Sequence, residues 1–246
     1  MSSTRSLTDA SSTRARADGV GGPLSVHESI TLVCRRLYDA GLIAGQDGNV
    51  SVRLPSGHVL VTPAGMSKVD VTPEDLVELT GDGEHVAGKW PASSEIGMHL
   101  QLYQRRADVH AVVHAHPPVA TGFSVAGLDF MDDVLPEVIF QLGGVPLVPY
   151  AMPGTPALAE AMEPFIAGHD AFLLANHGAT TVGPSLRLAH QRMESLEHAA
   201  RILRTAHLLG HVRALDPASA AALRTARRAA HAEWSGRVDS HSGEQT

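Results

Sequence analysis

The chain has 246 residues, 43% of them hydrophobic and 18% charged, which is enough apolar content for a sizeable core and excludes wholesale disorder. Nineteen Lys and Arg against 26 Asp and Glu give a formal net charge of −7, which argues against a nucleic-acid role resting on overall charge. The one cysteine, Cys34, cannot form an internal disulfide and fits a reducing, cytoplasmic compartment. No apolar run approaches the roughly 20 residues of a membrane span, and the first 23 residues lack the apolar stretch of a secretory signal.

Residues 1–23 are rich in Ser, Thr, Arg and Gly and read as a disordered tail. From Ser25 to Gly41, the apolar residues Ile30, Val33, Cys34 and Leu37 recur at helical spacing. Val50, Val52 and Leu54 alternate as a strand, Val59 and Val61 as another, with Pro55-Ser56-Gly57 turning between them. Leu76–Leu79 and His85–Ala87 read as a further pair. Ser93 and Ser94 precede a helical run carrying Ile96, Leu100 and Tyr103 and ending near Arg106. Val109–His114, Val145–Val148 and Ala171–Ala175 read as strands, with a short one over Thr180–Val182.

Thr155-Pro156 opens a helix with an N-cap residue followed by Pro. Leu186–Leu209 is a long amphipathic helix, and Pro217 to about Trp234 a last one. With no internal repeat and no linker, the expectation is one α/β domain over 24–236. It has a mostly antiparallel central sheet flanked by helices in a three-layer-like arrangement, followed by a flexible tail over 237–246.

Two residue counts bear on chemistry. Fifteen histidines invite a metal hypothesis, which only spacing can support, and the two lysines, Lys68 and Lys89, sit in loop-like settings that disfavour imine chemistry. His114-Ala115-His116 is the strongest local feature, because residues two apart on an extended backbone face the same way and can reach one ion. Ala175-Asn176-His177-Gly178 delivers a third imidazole to a strand end, although alone it reads as well as a hydrogen-bonded turn histidine. Glu95 in Ser93-Ser94-Glu95 suits either a helix N-terminus or a carboxylate beside a metal, and the two serines suit an anion. Gly45-Gln46-Asp47-Gly48-Asn49 and Thr62-Pro63-Ala64-Gly65 are glycine turns that could present N–H groups to a phosphate. His99, His110, His190, His198 and His207 lack a partner at comparable spacing and read as packing or surface residues.

Taken together and in order, these motifs resemble the class II aldolase/adducin family from about Val26 to Gly210. The resemblance rests on Gly-Asn-Val-Ser-Val-Arg at 48–53, Thr-Pro-x-Gly at 62–65, Ser-Ser-Glu at 93–95, Val-Val-His-Ala-His at 112–116 and Asn-His-Gly at 176–178. It implies that His114, His116 and His177 bind a divalent metal, zinc or another ion such as manganese. It makes Glu95 the acid/base, able to approach the metal when substrate is absent, and gives Gly48, Asn49, Gly65, Ser93 and Ser94 to the substrate phosphate. It further implies a homotetramer with active sites at subunit contacts.

The activity implied is cleavage of a ketose 1-phosphate, L-fuculose 1-phosphate or a similar deoxyketose phosphate, to dihydroxyacetone phosphate and an aldehyde through a metal-stabilised enediolate. A 4-epimerase, a decarboxylase or a dehydratase could use the same metal site, and a non-catalytic adducin-like module shares the fold. Two departures stand out: Ala64 replaces a Thr, and the segment Asp132–Ile139 lacks the Tyr that protonates the aldehyde in fuculose-phosphate aldolases. Glu137 and Tyr150 are the candidates to replace it.

Overall fold

The computed structural model describes residues 24–128, 130 and 132–241, so the tail expectations for 1–23 and 242–246 lie outside the described residues. The elements follow one another as helix α1 (Val26–Asp39), strands β1 (Asn49–Arg53), β2 (Val59–Val61), β3 (Val77–Leu79) and β4 (His85–Ala87), and helix α2 (Ile96–Arg105). Strand β5 (Ala111–Ala115), helix α3 (Pro118–Ala126), a π-helical turn (Val138–Leu142), strand β6 (Leu147–Val148) and helix α4 (Pro156–Ile166) come next. Strands β7 (Ala171–Leu174) and β8 (Gly178–Gly183) and helices α5 (Leu186–Leu209) and α6 (Pro217–His241) complete the order.

One eight-stranded sheet runs β4-β3-β2-β1-β5-β8-β7-β6. Every pairing is antiparallel except β6 with β7. The period-two rule then sorts the core into two sides. Ala111, Val113 and Ala115 of β5 and Ala171 and Leu173 of β7 pack with α1, α3 and α5. Val112 of β5 and Phe172 and Leu174 of β7 pack with α2 and α4. His114, alternating with Val113 and Ala115, therefore faces the side on which α2 begins. This is the single mostly antiparallel α/β layering expected from the sequence.

Helix starts follow side-chain chemistry. Ser25 and Glu28 form a reciprocal capping box at the head of α1. Helix α3, which the sequence reading did not anticipate, opens with Pro118. Its Val119 and Ala120 N–H groups donate to the buried Glu197 carboxylate of α5, both at 3.0 Å. Thr155 precedes α4 as expected, but its hydroxyl donates to the Met152 carbonyl at 2.7 Å and caps nothing. Helix α6 runs to His241, past the expected stop near Trp234, so 237–241 are helical and not part of a tail. Ala and Arg are frequent in the body of α6 before Trp234, and Gly236 costs only about 1 kcal/mol of helix propensity.

Buried Asp170, at the head of β7, gathers Arg106 and Arg192, each at 2.8 Å, together with Arg227 of α6. Burial alone would raise its pKa, but the facing guanidiniums outweigh burial and hold the carboxyl below its ordinary value. Replacing Asp170 with Asn removes the carboxylate these three cations share and should destabilise the fold by about 3–5 kcal/mol in denaturant unfolding. Because the folded-state pKa is depressed, the contribution is complete above the ordinary carboxylate range and lost as pH falls through the depressed value. The stability difference between wild type and variant should therefore narrow below about pH 4.

Candidate metal centre and active site

The site forms where β1, β5 and β8 lie side by side. Asn49 pairs with His114 across β1 and β5, and His114 with Thr180 across β5 and β8. His114 is completely buried, and its Nδ1 lies 2.9 Å from the Ala179 carbonyl, which can only accept. Nδ1 therefore carries the proton, and Nε2 points into the site as a bare lone pair.

His116, just past the end of β5, is held by its own N–H to the Leu42 carbonyl at 3.0 Å, and its Nδ1 faces Asp47 Oδ2 at 3.3 Å. That contact leaves the Nε2 of His116 bare as well, 3.2 Å from the Nε2 of His114. His177 arrives on the β7–β8 turn, where Asn176 takes a left-handed φ of 54° and the His177 N–H closes onto Leu174 O at 3.1 Å. The three ring centroids stand 4.8–5.2 Å apart.

Glu95 stands immediately before α2, where its carboxylate makes no cap contact. Its Oε2 lies 3.2 Å from His114 Nε2 and accepts from Asn49 Nδ2 at 2.8 Å, while its Oε1 lies 3.2 Å from His177 Nε2. A helix-terminus role for Glu95 therefore does not describe this geometry. Burial pushes His114 down to about 3 and lowers His116, so both rings are neutral at pH 7. Burial opposes the Glu95 charge, but the His177 ring and the Asn49 amide hold its carboxyl below the usual range.

Two neutral imidazoles aiming lone pairs at each other and at a carboxylate are electrostatically unfavourable unless a cation lies among them. Three imidazoles whose ligating atoms lie within 4.8 Å of one another, with a carboxylate beside them, suit zinc or another divalent ion.

The expected phosphate residues come together beside this cluster. Gly48, Asn49, Gly65, Ser93 and Ser94 line one cavity of about 290 Å³ with Glu95, His116 and His177. Thr62 assembles it. Its N–H donates to Val50 O and its hydroxyl accepts from Val50 N–H, while Ser93 N–H donates to Thr62 O. Pro63 pairs with Ala92, so the glycine loop before β1, the Thr62–Gly65 turn and the serines meet.

Gly48 has a φ of +72°, and a Cβ there would lie 2.8 Å from the His114 carbonyl oxygen, so only glycine fits. Neither Glu137 nor Tyr150 is among the residues lining the cavity: Glu137 lines a separate hollow with Val138 and Ile202, and Tyr150 is 58% exposed. A larger cavity of about 570 Å³, bounded by Phe140, Leu188 and Arg227, contains none of the expected site residues.

Sequence reasoning missed Thr62 as a hub, Asp47 as the partner of His116, and the burial of Lys68, which lies in a turn as its sequence reads but also lines the cavity. Their signals were present, since Asp47 and Thr62 lie inside motifs already noted and Lys68 is one of only two lysines. His99 is wholly buried, with Nδ1 2.7 Å from Ser51 Oγ, as a packing histidine would be. His190, at 4% exposure, lies on the buried side of α5.

With this geometry in place, comparison with known proteins is direct. The family model described as Class II Aldolase and Adducin N-terminal domain matches residues 28–203, and the chain belongs to that family. It is 38% identical over 183 residues to the 3-oxo-tetronate 4-phosphate decarboxylase of Escherichia coli O6:H1, covering 73% of this chain and 86% of the relative. It is 33% identical over 180 residues to the 5-deoxy-D-ribulose 1-phosphate aldolase of Bacillus thuringiensis, covering 71% and 82%. The crystal structure of YgbL from Escherichia coli superposes with a TM-score of 0.75 at 36% identity, covering 81% of this chain and 97% of that one. The chain is thus an enzyme-family member on sequence, fold and site geometry alike. No helix among the described residues is long and apolar enough to cross a membrane.

Gly178 sets the spacing of the rings, because a Cβ there would lie 2.5 Å from His116 Cδ2 and 2.6 Å from Ala115 O. Gly178→Ala should therefore weaken zinc affinity about tenfold or more, as displaced ligand geometry does, while far-UV circular dichroism stays unchanged. Competition titration with a chromophoric chelator measures this, with His114→Ala as the reference for loss of the site.

Proposed function

We propose that the protein is a divalent-metal-dependent lyase that removes CO₂ from a 3-oxo sugar-acid phosphate of the 3-oxo-tetronate 4-phosphate type, leaving dihydroxyacetone phosphate. The observation that carries this reading is the His114–His116–His177 cluster with Glu95, set in a chain 38% identical to a decarboxylase of that name. The cavity residues support it at the other end of the substrate: Gly48, Asn49, Gly65, Ser93 and Ser94 surround a space fit for a phosphate.

His114, His116 and His177 would hold the ion, with Glu95 able to approach it when substrate is absent. When bound, that ion supplies Lewis acidity toward the oxygens on which negative charge develops. In the substrate, the C1–C2 bond breaks, its electron pair moves into a C2–C3 double bond, and the C3 oxygen takes the charge. CO₂ departs, and a proton from water, moved by Glu95, restores a C–H bond at C2. Asn49 fixes the Glu95 carboxylate for this through its 2.8 Å amide bond, and the complete burial of His114 keeps that side of the site dry.

Release of an aldehyde requires a group to take the proton of the hydroxyl that becomes its carbonyl, and departure of CO₂ does not. The missing Tyr in 132–139 therefore fits decarboxylation better than aldol cleavage. This reverses the order expected from the motifs alone. Aldol cleavage of a ketose 1-phosphate remains the second reading, favoured by the 33% identical 5-deoxy-D-ribulose 1-phosphate aldolase. A homotetramer belongs to either reading, and exposed Tyr150 and Met152 near the cavity-lining Pro153 offer apolar surface to a neighbour.

NMR of the zinc-loaded protein with 3-oxo-tetronate 4-phosphate should show CO₂ and dihydroxyacetone phosphate. Glu95→Gln should lower kcat by about 10²–10⁴, the range for loss of a proton-transfer group. Aldehyde release from L-fuculose or 5-deoxyribulose 1-phosphate without CO₂ from the 3-oxo acid would overturn decarboxylation in favour of the aldolase.

A further inference from the structure

Lys68 follows the Thr62–Gly65 turn and is 3% exposed, yet it lines the catalytic cavity. Its ammonium donates to Gln46 O at 3.0 Å and to Met66 O at 2.8 Å. One of these carbonyls belongs to the glycine loop that carries Gly48, and the other adjoins Gly65. An ammonium has three N–H donors, so one remains after these two bonds. Lys68 is also the one Lys or Arg among the residues lining this cavity.

A buried cation is costly unless it meets an anion, and the carbonyls that hold it here are only partial charges. Burial indeed pushes the Lys68 pKa down, against the pull of Cys34, Asp47 and Glu95. Resting on the sugar-phosphate reading above, we infer that Lys68 is a substrate-binding residue whose free N–H receives the phosphate dianion. In this role it joins the two glycine loops into one cationic cradle. The loops supply neutral N–H donors, and Lys68 supplies the charge that selects a phosphorylated substrate over its unphosphorylated counterpart.

With two lysines in the chain, ¹⁵N labelling of lysine side chains gives two ammonium resonances, assigned by Lys68→Met. Titrating inorganic phosphate into the zinc-loaded protein should shift the Lys68 resonance saturably and leave Lys89 in place. Lys68→Met should weaken phosphate binding about tenfold or more, as loss of a charge-assisted hydrogen bond does. Zinc affinity should be retained, so a general collapse of the site does not explain the loss. An unmoved Lys68 resonance while phosphate binds, or unchanged affinity in Lys68→Met, overturns the assignment but leaves the sugar-phosphate reading intact. A Lys68 shift produced by acetate and not by phosphate assigns the ammonium to a carboxylate and likewise overturns it. Absence of any saturable phosphate binding by the wild type overturns the cradle and the sugar-phosphate reading together.

Discussion

The site depends on one hydrogen bond inside the sheet, from His114 Nδ1 to the Ala179 carbonyl. It joins β5 to β8, fixes the tautomer of a ring with no exposed surface, and aims Nε2 at Glu95 and His116. Because strand register has a period of two, slipping β5 by one residue would turn His114 into the face packed by α1, α3 and α5. The alternating apolar residues Val112 and Val113, each committed to a different core, prevent that slip. The hydrophobic pattern that folds the sheet is thus also what orients the donor atoms.

Around this rigid centre the loops are tied by backbone groups. Thr62 uses its N–H, hydroxyl and carbonyl at once to draw β1 and the serine segment together, and Lys68 spans the carbonyls of Gln46 and Met66. Such ties place the loops and leave Gly48, Gly65 and the serines free to face a ligand. The tight approach of Gly48 to the His114 carbonyl couples phosphate loop to metal strand, so the two halves of the site cannot drift apart independently.

Much of this is legible in the sequence, and the boundary has physical causes. Alternation exposes β1 and β2, an apolar run exposes the buried strand β5, and 3.6-residue periodicity exposes α1, α2 and α5. The His-x-His pair is readable for the same reason, since its spacing and its strand obey one rule. Helix α3 and the π-helical turn are not readable that way: α3 is short, and its start is capped from 77 residues away by Glu197. Long-range polar partners also explain the misreading of Lys68, whose local sequence is a loop but whose head group is buried by Gln46 from a distant turn. A local window registers residue types and intervals, and it cannot register which carbonyl will stand opposite an ammonium.

The architecture also explains why one family platform can release either CO₂ or an aldehyde. Both reactions break a bond to the same carbon of a phosphorylated three-carbon unit and leave the same enediolate. The three histidines, Glu95 and the phosphate cradle therefore serve both without change. What differs is the departing group, and with it the demand for a proton acceptor on the far side of the cavity. The hydroxyl that becomes an aldehyde must give up its proton as the bond breaks, whereas the carboxylate that becomes CO₂ has none to give. In this chain the segment that would carry such a group has no Tyr. The side of the site that is rigid and buried is thus the side the reactions share.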